Sequence, residues 1–300
     1  MYLTTLDYLL AQSPWSNELR VRECHAGRGM YAIPTDDARR SLLECLYDPL
    51  DAHVGVFLHD MQRGSQSALG LWPPNPAQLE WYSGSTVLNA WRLNAARAGS
   101  HLLELYEMAP DTRGILRAVF ADLRLRLSEV QVRILPEPED HRTFDGELHI
   151  ENNISAWNSQ DLVLLDPFAM WRQEQDQLRR NRYGRIIDSL IDREDSPLLI
   201  LFWTWGQAFL AAAGDLKNTN TPVRQGYQDL RDRLHRAGRH FIRVAWRWGL
   251  QFAMWVFVPD SHLNRLSAAL QQRCNDTRDH LLQRGCRGRL TSPDVEVIIH

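Results

Sequence analysis

Short apolar runs alternate along the chain with longer stretches whose apolar residues recur at helical spacing. The clearest run is Asp161–Pro167, an unbroken apolar stretch closed by Asp-Pro, which is typical of a strand buried on both faces of a parallel sheet. A helix is predicted over Asp111–Leu127, with Leu116 and Leu123 on one face. This alternation predicts an α/β fold with a mostly parallel central sheet and helices on both faces.

Other segments complete the predicted order of elements. Further strands are predicted at Leu19–Cys24, His101–Met108, Val130–Leu135, Leu148–Asn152, Leu198–Trp203, Arg243–Trp248, Gln251–Val258 and Val295–Ile299. Further helices are predicted at Asp37–Leu46, Ser83–Ala98, Gln173–Arg193, Tyr227–Ala237 and His262–Leu282. The two closely spaced strands near the end predict an antiparallel edge. Residues 1–300 are expected to form a single domain, with a loop-rich and helical insertion at about 36–82.

One uncharged stretch, residues 197–214, approaches the length of a membrane span. Thr204 and Gln207 interrupt it, and Trp203 and Trp205 lie in its middle rather than at its ends. It is therefore predicted as a buried strand that leads into a buried helix. The first residues show no signal-peptide pattern, and the four cysteines form no C-x-x-C pair. We expect a cytoplasmic protein with reduced thiols, no membrane partner and no metal.

Composition and charge narrow the class of protein further. Apolar residues make up 44% and charged residues 24% of the 300 residues, which excludes disordered, collagen-like and disulfide-scaffold chains. The 34 basic and 37 acidic side chains leave a net charge of −3, so no global positive field indicates nucleic-acid binding. Arginine-rich stretches at 172–185 and 231–247 are interleaved with acidic residues. They fit either a local phosphate-binding rim or ordinary solvated helices.

Three sequence features carry candidate chemistry at the ends of predicted strands. Glu23 is followed by the glycine-bearing turn His25–Gly29, Glu107 ends the next long strand, and Asp166-Pro167-Phe168 ends the clearest buried strand. Glycines allow a backbone turn to approach a ligand, and an acid at the end of the second strand can accept hydrogen bonds from a ribose. Each feature alone also fits a plain tight turn, a solvated strand end, or a proline-terminated strand with a packed aromatic ring.

Four blocks of residues together resemble a known family. The blocks are Glu23–Tyr31 (ECHAGRGMY), Tyr82–Ser85 (YSGS), Leu105–Pro110 (LYEMAP) and Asp161–Phe168 (DLVLLDPF). In order and spacing they resemble class I S-adenosylmethionine-dependent methyltransferases, and specifically the large-subunit (23S) ribosomal RNA adenine-N6 methyltransferases of the RlmJ type. The resemblance covers most of the chain. It implies a Rossmann-like fold, S-adenosylmethionine as the cofactor, and RNA as the partner.

The resemblance also implies roles for individual residues. Cofactor contacts are implied for Glu23, His25, Gly27, Gly29, Ser85 and Glu107. The family's Asp-Gly, which cradles the cofactor adenine, has two matches: Asp145-Gly146 has the right residues, whereas Asn152 follows a predicted strand and is preferred here. Asp166 and Pro167 match the start of the family's catalytic Asp-Pro-Pro-Tyr, in which the carboxylate and the proline carbonyl hold the adenine amino group. Phe168 is the candidate for stacking on the flipped base.

Two departures from the family keep other functions open. Asp-Pro-Pro-Tyr has become Asp166-Pro167-Phe168-Ala169, and residues 1–22 contain neither Lys nor His, where the family has a basic, His-bearing stretch. The altered motif fits a different methyl acceptor, such as DNA, a protein side chain or a small amine. Both departures also fit a methyltransferase fold that has lost catalysis and serves as a binding or assembly module. The preferred prediction is N-methylation of an adenine amino group in RNA.

Overall fold

Eight strands form the central sheet in the part of the chain that the structure, a computed structural model, describes. The described residues are 2–27, 29–32, 81–96, 99–123, 127–136, 145–165, 185–187, 189–190, 193, 195–203, 206–248, 250–283 and 294–298. The strands are β1 Arg20–Cys24, β2 Met30–Ala32, β3 Trp81–Ser83, β4 His101–Tyr106, β5 Val130–Leu135, β6 Asp161–Leu165, β7 Leu198–Trp203, β8 Phe241–Trp248, β9 Leu250–Phe257 and β10 Asp294–Ile298. Strands β2 and β3 form a separate antiparallel pair.

The strand order in the sheet is β10-β8-β9-β7-β6-β1-β4-β5. Strands β5, β4, β1, β6 and β7 pair in parallel, and β9 is antiparallel to both β7 and β8. Strand β8 therefore runs in the same direction as the parallel set, while β10 is antiparallel at the edge. The predicted α/β class with a mostly parallel sheet and antiparallel strands on one side is confirmed.

Helices cover both faces of the sheet because its strands are apolar on both sides. The helices are α1 Tyr2–Leu10, α2 Ser85–Ala95, α3 Pro110–Leu123, α4 Gly146–Asn153, α5 Gly206–Ala212, α6 Thr221–Arg236 and α7 Asp260–Gln283. Helices α1, α2, α3 and α7 pack on one face with residues such as Val21 and Leu103. Helices α4, α5 and α6 pack on the other with residues such as Val163 and Leu201. The structure is thus the three-layered, doubly wound arrangement.

One predicted strand is wrong, because residues 148–152 lie in helix α4. The alternation of Leu148 and Ile150 resembles a strand, yet Leu148 is exposed while Ile150 and Ile154, one helical turn apart, are both buried. The side chain of Asp145 caps the helix by accepting the backbone N–H of Leu148 at 3.0 Å. The relevant apolar spacing is therefore four residues rather than two.

The predicted insertion at about 36–82 lies almost wholly outside the described residues, as does the predicted helix Asp37–Leu46. The strands on either side of it are described: in the β2–β3 pair, Tyr31 lies level with Tyr82. The two described positions that flank residues 33–80, Ala32 and Trp81, are therefore adjacent. That residues 1–300 form a single domain stays a prediction.

A buried group of charges joins the three central strands on the face covered by α4. The guanidinium of Arg22 donates to Asp161 Oδ1 at 2.9 Å and is also bonded to Glu104, and it lies 4.2 Å from the ring centre of Trp157. Burial acts to lower the pKa of Arg22, but Glu104, Tyr106 and Asp161 together raise it. Arg22 is therefore a permanent cation that ties β1 to both of its neighbours.

The uncharged stretch at 197–214 forms strand β7 and helix α5, as predicted. No helix among the described residues is both long enough and apolar enough to cross a membrane.

Candidate functional site

The first feature of the site is the place where the chain changes direction across the sheet. From β1 the chain continues to β4 on one side, and later to β6 on the other. In open α/β sheets, ligands bind beyond the carboxyl ends of the strands at such a switch point. Cys24 lies level with Tyr106 in β4, and Glu23 lies level with Leu164 in β6. The three strands therefore end together at one edge, where adjacent strands are about 4.8 Å apart.

The turn after β1 has an unusual backbone that its sequence explains. His25, Gly27 and Gly29 have φ angles of 64°, 65° and 76°. Glycine adopts such angles without strain, whereas they are uncommon for a residue such as His25. The N–H of Ala26 donates to the Tyr106 carbonyl at 3.0 Å, which holds the turn against the end of β4. The predicted glycine turn thus lies at the carboxyl edge, with the side chain of His25 exposed.

Glu107 joins this turn to the segment that follows β4. Its Oε2 accepts the backbone N–H of Gly27 at 2.8 Å, and its Oε1 accepts the backbone N–H of Ala109 at 2.8 Å. The carboxylate is therefore held in one orientation by two elements that are distant in sequence. The next residue, Met108, is 49% exposed.

Glu23 lies on the face of β1 opposite to Arg22, where helix α2 binds its carboxylate. The hydroxyl of Ser85 donates to Glu23 Oε1, and Asn89 Nδ2 donates to Glu23 Oε2 at 2.9 Å. Ser85 begins α2, so the carboxylate also lies near the positive end of the helix dipole. The structure thus brings together Glu23 and Ser85, two of the predicted cofactor-binding residues, and Glu23 holds the start of α2 in place. Asn89 was missed by sequence analysis, although its spacing of four residues from Ser85 places both on one helix face.

The two alternatives for the adenine-binding acid lie at opposite ends of α4. Asp145 caps the first turn, where Gly146 packs so closely that an added Cβ would lie 3.0 Å from Cβ of Tyr106. Asn152 is exposed in the last turn. The predicted strand that favours Asn152 is a helix in the structure, whereas Asp145 lies beside the ends of β1 and β4. Leu148, one turn into α4, is 41% exposed.

The predicted catalytic residues Asp166, Pro167 and Phe168 lie outside the described residues. The strand that leads to them, β6, is present as predicted, is buried along its whole length and ends at Leu165. The first arginine-rich stretch, 172–185, also lies outside the described part apart from Arg185. In the second stretch, Arg233 and Arg236 are exposed on α6.

Tyr106 and His149 form an aromatic pair beneath the site. Their ring centres are 5.0 Å apart, and the Tyr106 hydroxyl donates to Glu104 Oε2 at 3.0 Å. Burial and the nearby Glu104 carboxylate raise the pKa of Tyr106, and burial lowers the pKa of His149. Both rings are therefore neutral near pH 7. The Tyr106–His149 pair thus adds no charge to the carboxyl edge of the sheet. Among the residues that the structure describes, no group of three or more His, Cys, Asp or Glu is arranged to hold a metal ion.

A separate apolar recess lies at the opposite, amino edge of the sheet, where it is lined by Pro197, Leu234 and Phe257 among others. Its arginine, Arg239, donates to the carbonyls of Leu190 at 2.6 Å and Arg193 at 2.7 Å. The recess lies away from the switch point and contains none of the predicted site residues. It therefore does not compete with the carboxyl edge as the candidate site.

Comparison with known proteins supports the fold. No protein-family model and no curated protein matches the chain. Protein LPL1258 from Legionella pneumophila strain Philadelphia 1, of family DUF519, has a solved structure that overlaps 99% of this chain and 93% of its own with a TM-score of 0.55 at 15% identity. The delta-N METTL16 methyltransferase domain overlaps 85% of this chain and 79% of its own, at 11% identity and a TM-score of 0.40.

A third similar structure is the O-methyltransferase from Bacillus cereus in complex with S-adenosylhomocysteine. It overlaps 75% of this chain and 93% of its own, at 17% identity and a TM-score of 0.34. The overlap with the Legionella protein shows a shared fold over nearly the whole of both chains. The strand order places β9 antiparallel between β7 and β8 in an otherwise largely parallel, Rossmann-like sheet.

Proposed function

We propose that this protein binds S-adenosylmethionine at the carboxyl edge and transfers its methyl group to an amino group. The observation that carries the proposal is the carboxylate of Glu107, which is bound by the N–H of Gly27 from the turn after β1. A glycine turn and an acid at the end of the neighbouring strand, joined at the switch point, are the arrangement that nucleotide-type cofactors require.

The donor and acceptor groups at this edge fit the parts of such a cofactor. A carboxylate has about four lone-pair positions, so Glu107 keeps acceptor capacity for a ribose diol after accepting two backbone N–H groups. Gly27 and Gly29 allow the backbone to approach the methionine portion closely. Asp145 provides a carboxylate for the adenine amino group. The exposed side chains of Met108 and Leu148 offer apolar surface for a planar ring.

The catalytic part of the proposal rests on Asp166, Pro167 and Phe168. They directly follow Leu165, the last residue of β6, which is the neighbour of β1. When bound, the cofactor would supply a methyl group on a positively charged sulfur: the carbon–sulfur bond breaks with its electron pair left on sulfur as the carbon–nitrogen bond forms, and the nitrogen releases one proton to solvent. The Asp166 carboxylate and the Pro167 carbonyl accept the two hydrogens of the acceptor's amino group and direct its nitrogen lone pair. Phe168 stacks on the ring that carries this amino group, so that the chain contributes mainly by positioning.

The proposed acceptor is an adenine in RNA. This follows from the resemblance of Asp166-Pro167 to the family motif. The exposed arginines of α6, Arg233 and Arg236, flank Leu234 at the amino edge of the sheet, away from the proposed site. A base within a helix must be flipped out to reach the site, and an aromatic side chain such as Phe168 can hold it there. DNA, protein side chains and small amines are the competing acceptors, and a binding module without catalysis is the competing class.

The first experiment measures thermal stability with S-adenosylmethionine and S-adenosylhomocysteine. Binding at a hundredfold excess over Kd stabilises the folded state by about 2.7 kcal/mol, so a rise in Tm is expected. No rise with either compound contradicts the proposal. The second experiment follows labelled methyl transfer to pools of RNA, DNA, protein and metabolites, and RNA is the pool expected to be labelled.

A pair of variants then tests the catalytic residues. Asp166→Asn should abolish transfer and leave the Tm shift with S-adenosylhomocysteine nearly unchanged. Asp279→Asn, which removes a carboxylate exposed on α7, is the matched control and should keep full transfer. Transfer that persists in Asp166→Asn contradicts the assignment of Asp166. Cofactor binding without transfer to any pool favours the binding module.

A further inference from the structure

We infer that Arg113 is a positioning residue of the cofactor site, which holds the Glu107 carboxylate in the orientation that a ribose diol needs. The inference rests on the proposed function, since it assigns the orientation of Glu107 a role in binding. Arg113 lies in the first turn of α3, six residues beyond Glu107. It belongs neither to the glycine turn nor to a strand end, so sequence analysis does not predict it as a site residue.

The side chain of Arg113 is buried, with 3% of its surface exposed, and it points back to the end of β4. Its Nη1 donates to the carbonyl of Glu107 at 2.9 Å and lies 3.4 Å from the carbonyl of Met108. Its own backbone N–H donates to the Ala109 carbonyl at 2.9 Å. Arg113 thus holds all three residues that connect β4 to α3.

The connection between β4 and α3, residues 107–109, determines the orientation of the Glu107 carboxylate. The carboxylate accepts the N–H of Ala109, which lies within the same connection, and the N–H of Gly27, which lies outside it. The ladder bond from the Glu107 N–H to the Leu135 carbonyl is long, at 3.4 Å. The sheet therefore constrains Glu107 only weakly, and the guanidinium at its carbonyl is the stronger constraint.

Arginine suits this position better than lysine does. Both carbonyl contacts are made by Nη1, whose two N–H groups have directions fixed by the guanidinium plane, so this one atom is held facing two neighbouring carbonyls. The ammonium group of lysine is a single point on a flexible chain and requires stronger hydration when buried. We therefore expect Arg113→Lys to fold while allowing the Glu107–Ala109 connection to rotate.

The test compares binding of S-adenosylhomocysteine with binding of its 2′-deoxyribose analogue by calorimetry. A hydrogen bond to a charged acceptor contributes about 1.5–3 kcal/mol, so the wild-type protein should bind the ribose form about tenfold or more tightly than the analogue. Arg113→Lys should lose most of this preference, as Glu107→Gln does, and the double variant should lose little more. Such non-additivity shows that Arg113 acts through Glu107.

The matched control is Arg239→Lys. Arg239 is also an arginine that donates to two backbone carbonyls, but it lies at the amino edge of the sheet. Its replacement should lower stability without changing the preference for the ribose form. If Arg113→Lys keeps the wild-type preference, or if Arg239→Lys loses it equally, the inference is overturned.

A second measurement does not depend on the ligand. Amide hydrogen exchange at Gly27 and Ala109, followed by NMR, should be slow in the wild type and faster in Arg113→Lys and Glu107→Gln. Unchanged exchange in Arg113→Lys overturns the positioning role even when binding is altered. If the wild type binds neither ligand, the proposed function fails and the ribose role fails with it. Wild-type binding with an unchanged preference in Arg113→Lys overturns the inference alone.

Discussion

The carboxylate of Glu107, just beyond β4, accepts the backbone N–H of Gly27 from the turn after β1 at a distance of 2.8 Å. Eighty residues of sequence separate the two, and the whole of the predicted insertion lies between them. The bond joins a backbone in the left-handed region to an acid that is fixed by its own loop. Two of the sequence candidates for cofactor binding, Gly27 and Glu107, are therefore parts of a single structural unit.

The left-handed backbone of the turn makes Gly29 sensitive to substitution. Gly29 has a φ of +76°, and an added Cβ would lie 3.0 Å from Cδ1 of Leu116. Gly29→Ala should lower the free energy of unfolding by about 1–2 kcal/mol, because L-residues are strained in this conformation. Urea unfolding measures the loss, and titration with S-adenosylhomocysteine should show weaker binding.

Gly114 provides the control for this substitution. It lies on the exposed side of α3, where an added Cβ meets nothing within 4 Å. Gly114→Ala should raise the free energy of unfolding by about 0.5–1 kcal/mol, because alanine loses less backbone freedom in a helix. Equal effects of the two substitutions would contradict a special role for the backbone at Gly29.

Asp161 is one of the two buried carboxylates that pair with Arg22. It has no exposed surface, and it accepts bonds from Arg22 at 2.9 Å and from the backbone N–H of Asn158 at 2.9 Å. Asp161→Asn removes one of the two counter-charges of Arg22, whereas Glu104 remains, so the cost should be about 1–3 kcal/mol, as for loss of a charged partner in a buried hydrogen bond. Urea unfolding should show a loss of this order.

The control for Asp161 is an acid of an exposed ion pair. Asp279 pairs with Arg278 at 2.9 Å on the surface of α7, and Asp279→Asn should change stability by less than about 1 kcal/mol. A similarly small loss in Asp161→Asn would show that the buried charges contribute little to holding the central strands together.

Acidification should destabilise the protein partly through His101. Burial lowers the pKa of His101, whose Nδ1 accepts the backbone N–H of Leu19 at 3.2 Å. The unfolded chain has the ordinary pKa of about 6.5 and so binds the proton first as the pH falls. The contribution of His101 is therefore complete well above pH 6.5 and decreases below it. Urea unfolding at about pH 7.5 and about pH 5.5 measures the difference.

His101→Gln should reduce this pH dependence, while His149 and His262, whose pKa values burial also lowers, retain their own contributions. The control is Gln225→Ala, at an exposed and non-titrating position on α6, which should leave the pH dependence as in the wild type. A wild-type pH dependence in His101→Gln would contradict the assignment.

The roles of Asp145 and Asn152 at the cofactor adenine can be distinguished by measuring cofactor binding and protein stability in the same variants. Asp145→Ser keeps an oxygen that can cap α4 but removes the carboxylate, whereas Asp145→Ala removes both and should lower stability by about 1 kcal/mol. Both variants should weaken binding of S-adenosylhomocysteine, measured by calorimetry. Asn152→Ala should bind as the wild type does. Weakened binding in Asn152→Ala with normal binding in Asp145→Ser would assign the contact with the cofactor adenine to Asn152 instead.

The segment at 146–153 shows where sequence patterns are insufficient. Leu148 and Ile150 alternate as in a strand, but burial of Ile150 and capping by Asp145 give a helix. Over eight residues, the two periodicities share too many positions to be distinguished. The long apolar runs had no such ambiguity, and Val130–Leu135 and Leu198–Trp203 have the predicted bounds.

The sequence by itself determined the α/β class, the main parallel strands and the acids and glycines at their ends, because these depend on local periodicity and on residue chemistry. Only the tertiary structure decided which of these groups meet. The bonds of Glu107 to Gly27 and of Asn89 to Glu23 join residues 80 and 66 positions apart. The role of Arg113 likewise depends on the fold of the connection after β4. Such contacts follow from strand order and register, which no local pattern encodes.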